Sequence, residues 1–318
     1  MANEPTYQQR RNYQGLKDNV YYLPNDNAEL ERLNFQHICA RMILDGRLNL
    51  APIPRDKPIK VLDVGSGTGI WAKDFAYEYP NATVTGVDLS HVHTSGFPDT
   101  CNFKVGNVES DWSTWTDEKY DYIHARFLVF VVHDAPKFIS QAFEHLNPGG
   151  WFEWQDSKIE IHCACPGVFD VMECKHQLMI DWSDKINQAS NRIGVDAKRA
   201  LNWSKMFDAS GLVRLTEVVK RMLIGSWGQD SEEKRLGQLN LQNMICALSP
   251  LSHGVFSKAQ LMPDAEIDEF VAKVGEEMTN PDVHHYAPLQ VYPDLTVIRH
   301  ALTGFSITWY GQKPDMGM

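Results

Sequence analysis

The residues best placed to do chemistry lie in Val61-Leu62-Asp63-Val64-Gly65-Ser66-Gly67-Thr68-Gly69, with Asp88 following 19 positions after the last glycine. Glycines at a strand-to-helix junction let a ligand approach the backbone, and the helix start offers N–H groups without partners. A dinucleotide-binding turn has the spacing Gly-x-Gly-x-x-Gly. Here the spacing is Gly-x-Gly-x-Gly, and Ile70 stands where that turn wants its third glycine. Asp63 precedes the first glycine by two positions. A pyrophosphate would gain nothing from a carboxylate there, whereas a ligand bearing a cationic amine would. Asp88 closes the next apolar run, where a carboxylate accepts from both hydroxyls of a ribose.

The elements that must hold these residues follow from the pattern around them. Ile59 to Val64 reads as a strand, and Trp71, Phe75 and Tyr79 at four-residue spacing as a helix stopped by Pro80. Further strands are expected over Ala82 to Leu89, Asn102 to Val105 and Tyr120 to Phe127. Asp134 caps a helix running through Leu146, Asn147-Pro-Gly-Gly150 turns the chain, and another strand starts at Trp151. Strand and helix alternating across glycine-rich turns predict an α/β fold with a doubly wound parallel sheet. This cofactor-binding core spans residues 59–160. Before it come a tail expected to be disordered, 1–20, and a helical cap, 21–58, whose helix runs from Ala28 to Asp45 behind Asn25 or Asp26. After it, 161–318 holds helical insertions and the strands that complete the sheet. A long amphipathic helix is marked by Val168, Met179, Trp182 and Ile186, and a short one by Trp203 to Ser210. Leu212 to Ile224 reads as one strand, Glu232 to Leu248 and Asp264 to Met278 as helices, and Phe305 to Gly311 as the last strand.

Composition narrows the classes. The 318 residues carry 30 Lys and Arg against 41 Asp and Glu, a net charge of −11. That argues against binding bare nucleic acid, which needs a surplus of cations. No apolar run reaches the roughly 18 residues of a membrane span, and no secretory signal is visible. The six cysteines include no Cys-x-x-Cys pair, and His162-Cys163-Ala-Cys165 lacks a second half with ligand spacing, so no metal is expected. Reduced thiols fit the cytoplasm, with the nucleus as the alternative.

Together these motifs resemble the class I S-adenosylmethionine-dependent methyltransferases. The resemblance rests on Asp63-x-Gly65-x-Gly67-x-Gly69, Asp88, Gly106-Asn-Val-Glu109, Tyr120-Asp-Tyr-Ile-His124 and Asn147-Pro-Gly-Gly150. Within that family the chain looks closer to the fungal branch of LaeA-like proteins and their secondary-metabolism relatives. That likeness is carried by Leu23-Pro-Asn-Asp26, Arg32-Leu33, Gln36-His37, Leu44-Asp-Gly46, Leu50-Ala-Pro-Ile53, Gly69-Ile-Trp-Ala72 and Lys313-Pro314. It implies a Rossmann-like, seven-stranded sheet and S-adenosyl-L-methionine as cofactor. Asp63 and the turn Gly65, Ser66, Gly67 and Gly69 would face its methionine part. Asp88 would hold the ribose, Leu89 would pack on adenine, and Asn107 and Val108 would meet the adenine edge. Asn107 stands where relatives carry an acid, and its amide oxygen still accepts from an amino group. His124 and Arg126 would lie below the methionine tail, where the arginine either pairs with the carboxylate or forms an ordinary salt bridge. Tyr22 and Gln36, in the cap, would close over the cofactor.

Methyl transfer from an activated sulfonium needs in-line placement, exclusion of water and at most one base. His133, beside Asp134 at the end of the fourth strand, is the base candidate; otherwise it is a surface loop residue next to a helix cap. The insertions are expected to roof the site with Met179, Trp182, Trp227, Met244 and Phe256. These point to an O- or N-methylated, hydrophobic small molecule, without nucleic acid or membrane as partner. Regulatory action in a nuclear protein complex, methylation of a protein side chain, and a non-methylating cyclisation that keeps the cofactor are the alternatives. Relatives pass almost directly from the segment matching Pro281-Asp-Val-His-His-Tyr286 into the final strand; here residues 287–304 intervene, as a lid extension or a homodimer contact.

Overall fold

A computed structural model describes residues 11, 22–90, 96–157, 159–163, 177–198, 202–286 and 305–315. The expected tail, the first part of the long amphipathic helix and the 287–304 insertion lie outside the described residues. In chain order the strands are β1 (Ile59–Val64), β2 (Ala82–Asp88), β3 (Cys101–Val105), β4 (Tyr120–Arg126), β5 (Leu146–Asp156), β6 (His162–Cys163), β7 (Val213–Arg221), β8 (Leu223–Ile224), β9 (His285–Tyr286) and β10 (Phe305–Gln312). The α-helices are α1 (Asn27–Ile43), α2 (Ile70–Glu78), α3 (Ala135–His145), α4 (Leu178–Arg192), α5 (Trp203–Asp208), α6 (Ser231–Ser252) and α7 (Asp264–Thr279). The chain forms two compact units, each assembled from three segments.

One unit comprises Leu44–Ser157, Arg199–Val218 and Ile307–Met318. Its seven-stranded sheet has the order β3-β2-β1-β4-β5-β10-β7, parallel from β3 to β5, with β10 antiparallel to β5. This is the expected Rossmann-like α/β architecture. Val61, Leu62 and Val64 of β1 are fully buried, because a central parallel strand is covered on both faces. The four-residue spacing of Trp71, Phe75 and Tyr79 puts all three on one stripe of α2. Their rings stack at 4.7 and 4.2 Å, and the stripe packs with Tyr122 and Trp151 against one face of the sheet. On β5, Phe152 and Trp154 alternate with Glu153, so they meet a different set: Phe138 of α3 and Trp203 and Phe207 of α5. Asp134 caps α3 by accepting the Lys137 N–H at 2.9 Å.

The other unit comprises Met1–Ile43, Lys158–Lys198 and Val219–Ser306. Here α1 packs on α6, and Arg32 of α1 is buried between Glu29, at 2.7 Å, and Asn243 of α6, at 3.2 Å. Asp230 caps α6 by accepting the Glu232 and Glu233 N–H groups. Pro250 interrupts the end of α6, and a π-helical turn, His253–Ser257, follows it. Gly254 in that turn is held to glycine by the chain itself, since a Cβ would come within 2.1 Å of the Tyr22 carbonyl oxygen. Strands β6, β9 and β8 form a small sheet.

Two sequence expectations change. Leu212 to Ile224 is not one strand: it divides into β7 and β8, which belong to different sheets. Asn147-Pro-Gly-Gly150 does not separate helix from strand; it is already part of β5, and the register with β4 shifts between Tyr120 and Tyr122 to accommodate it.

Candidate functional site

The glycine turn leaves the carboxyl end of β1 and starts α2. Gly65, Gly67 and Gly69 have φ of +73°, +55° and +75°, conformations open to glycine without strain. At Gly65 a Cβ would also fall 2.6 Å from Leu128 Cδ2. The turn is bound to the end of β2. Gly65 and Ser66 donate their N–H groups to the Val87 carbonyl at 2.9 and 3.0 Å, and Gly67 donates to Asp88 Oδ2 at 2.9 Å. Asp88 Oδ1 accepts from Ser90 N–H at 3.2 Å. Burial raises the Asp88 pKa, against the lowering effect of these amides. A turn with three amides already given to protein acceptors and a carboxylate among them is a poor phosphate cradle, which agrees with the Gly-x-Gly-x-Gly reading.

Asp63 and His124 occupy partner positions on β1 and β4. They are buried, with His124 Nδ1 2.8 Å from Asp63 Oδ1. The imidazole lies flat on Trp71, ring centres 3.8 Å apart and planes 3° apart. Burial lowers the His124 pKa more than its bond to Asp63 raises it. Asp63 Oδ2 is buried and has no protein partner, as is Ser66 Oγ. The next position across the sheet is Glu153 of β5, which accepts from the Leu50 and Ala51 N–H groups, the Tyr122 hydroxyl and the Gln155 amide. Burial raises its pKa, and its oxygens are engaged in holding the 50–51 segment.

Arg126, at the end of β4, lies over the Phe127 ring at 5.6 Å. Phe127 has a left-handed φ of +54°, so the strand expected to include it stops one residue earlier. Leu89 is half-buried after β2, Asn107 accepts the Glu109 N–H, and Val108 is buried. Val108, Glu109, Val132, Asp134, Lys137, Phe138 and Gln141 line a cavity of about 260 Å³. Of these, Glu109 pairs with His133: His133 Nδ1 lies 2.8 Å from Glu109 Oε2, and Glu109 also accepts the His133 N–H. The sequence reading quoted Glu109 only as part of a motif; its pairing with His133 joins positions 24 apart in the chain. Tyr22, buried, and Gln36, on α1, belong to the other unit. Of the proposed roof residues, Met179, Trp182 and Phe256 are fully buried in that unit, Trp182 donating to Ser252 Oγ at 2.8 Å; they are core. Trp227 stacks on His284 at 5.1 Å. Among the described residues no group of three or more His, Cys, Asp or Glu side chains could hold a metal ion, and no helix is long and apolar enough to cross a membrane.

A doubly wound sheet with an antiparallel β10, a glycine turn after β1 and acids at the ends of β1 and β2 define a class I S-adenosylmethionine-dependent methyltransferase. The methyltransferase-domain family matches residues 35–217, and the chain belongs to that family, in its LaeA-like branch. Among its relatives, methyltransferase pytC of Aspergillus terreus is 31% identical over 283 residues, covering 87% of this chain and 84% of that protein. The secondary metabolism regulator laeA of Monascus pilosus is 30% identical over 290 residues, covering 89% of this chain and 75% of that protein. The protein-methionine methyltransferase laeA of Emericella nidulans is 28% identical over 285 residues, covering 89% and 74%.

Proposed function

We propose that the chain methylates an oxygen or nitrogen of an apolar small molecule in fungal secondary metabolism. The observation that carries the cofactor half of this reading is the buried, unpartnered Asp63 Oδ2 beside the glycine turn. A buried carboxylate oxygen without a donor is costly, and a ligand ammonium satisfies it. Asp63 and the Gly65–Gly69 turn hold the methionine part, with Arg126 at its carboxylate. Asp88 holds the ribose hydroxyls, and Leu89, Asn107 and Val108 the adenine. When bound, S-adenosyl-L-methionine supplies an electrophilic methyl group that needs no further activation. The protein's part is placement, exclusion of water and removal of one proton. For the last, Glu109 accepts from His133 Nδ1 and so leaves Nε2 as the basic nitrogen.

The pytC likeness supports methyl transfer, and the net charge of −11 disfavours an acidic or phosphorylated acceptor. The laeA likenesses, at nearly the same identity, favour a second reading: a regulator of secondary metabolism that methylates protein. Incubation with methyl-labelled S-adenosylmethionine and a fungal extract separates the two. The first reading expects label in organic-soluble material; label confined to the protein pellet contradicts it. Binding without transfer would favour a cofactor-dependent cyclase.

A further inference from the structure

The Asp63–His124 pair is more constrained than a ligand contact requires. His124 is fixed on three sides. Its Nδ1 is 2.8 Å from Asp63, its face lies on Trp71 at 3.8 Å with 3° between the planes, and its backbone sits in the ladder between β1 and β5. The stack prevents the ring from turning without breaking both contacts. With Nδ1–H donating to Oδ1, Asp63 keeps one unpartnered oxygen, Oδ2.

Resting on the cofactor reading above, we propose that His124 is the positioning residue of this site: as the neutral Nδ1–H tautomer it aims Asp63 Oδ2 at the ammonium of the methionine moiety and leaves the carboxylate its full charge. A second proton on the ring, at Nε2, would turn the pair from one net negative charge to none and weaken its hold on a cation. Burial opposes that proton, so the cationic ring forms only below the usual histidine range. The charged and titratable groups around His124 are Asp63 on β1, Tyr122 and Arg126 on β4 and Glu153 on β5; Asp88, at the end of β2, couples to Asp63. From α2 comes Trp71, which does not titrate.

The experiment is calorimetric binding of two nucleosides from pH 7.5 down to the lowest pH at which the chain stays folded, with ¹⁵N-histidine NMR of the ligand-free protein following His124 over the same range. S-adenosylhomocysteine carries the ammonium; methylthioadenosine lacks the amino-acid arm. For the first, the dissociation constant should rise by about tenfold per pH unit once His124 titrates. For the second it should stay level. His124→Asn keeps an amide donor for Asp63 and does not titrate, so it should bind S-adenosylhomocysteine more tightly than His124→Phe and without pH dependence. NMR should show the Nδ1–H tautomer at pH 7.5. A level profile for S-adenosylhomocysteine across the His124 titration that NMR records, an equal slope for methylthioadenosine, a slope retained in His124→Asn, binding no tighter in His124→Asn than in His124→Phe, or the Nε2–H tautomer would overturn the proposal. The NMR and two-nucleoside measurements use the unaltered chain, so they stand even where a variant fails to fold. If neither nucleoside binds at any pH, the cofactor reading itself falls.

Discussion

Asp63 and Asp88 stand at neighbouring strand ends, but the structure gives them different surroundings. Asp88 is tied to backbone amides on both oxygens, whereas Asp63 has a single bond, to His124. Both acids were legible in the sequence, Asp63 because it stands two positions before the glycine turn and Asp88 because it closes the next apolar run. Their surroundings were not, since Asp63 and His124 are 61 residues apart and meet only through parallel register. The same holds for His133 and Glu109. For His133→Ala, the account expects the rate constant at saturating acceptor to fall by about 10²- to 10⁴-fold, the usual weight of a positioned base, with cofactor affinity unchanged. Near-wild-type turnover would return His133 to a loop residue held by Glu109.

Elements were legible where local pattern decides them. The strands β1 to β3 followed from runs that stop at glycine or just past an acid, β4 from its alternating Tyr120-Asp-Tyr-Ile run, and α3 from its Asp134 cap. Where long-range partners decide, local pattern failed. Nothing near Met222 signals that the chain leaves one sheet there and enters another, and Met179, Trp182 and Phe256 have the same apolar character whether they face a ligand or a core. The helix α4 shows the point energetically. It has no side-chain cap of its own, and Glu277, at the end of α7, accepts the Leu178 and Met179 N–H groups at 3.2 and 2.9 Å and lies 3.3 Å from His285. Burial acts to raise the Glu277 pKa, but His285 and the two amides outweigh it, so the pKa is lowered. A lowered acid pKa stabilises the fold above the unfolded value, about 4.3, and that stability is lost as pH falls through the folded value. Glu277→Gln should therefore cost about 0.3–1 kcal/mol at pH 7, in the range of a charge at a helix N-terminus. Urea unfolding should show the gap between variant and wild type closing as pH falls below about 4.3; a gap that stays constant there would remove the charge from the explanation.

At the scale of the molecule, the alternation that builds the sheet also sorts the tryptophans. Trp203 lies outside the expected cofactor core, in the 161–318 part of the chain; in the structure it packs on Trp154 of β5, ring centres 4.8 Å apart. The central claim is that the end of the sheet marked by the glycine turn and its acids holds the cofactor. The most direct test is calorimetric titration of S-adenosylhomocysteine into wild type and Asp88→Ala, with thermal unfolding as the control for folding. The account predicts that the folded variant loses about 1–3 kcal/mol of binding, the weight of a hydrogen bond to a charged group. Unchanged binding by the folded variant would contradict the ribose assignment and the placement of the cofactor that depends on it.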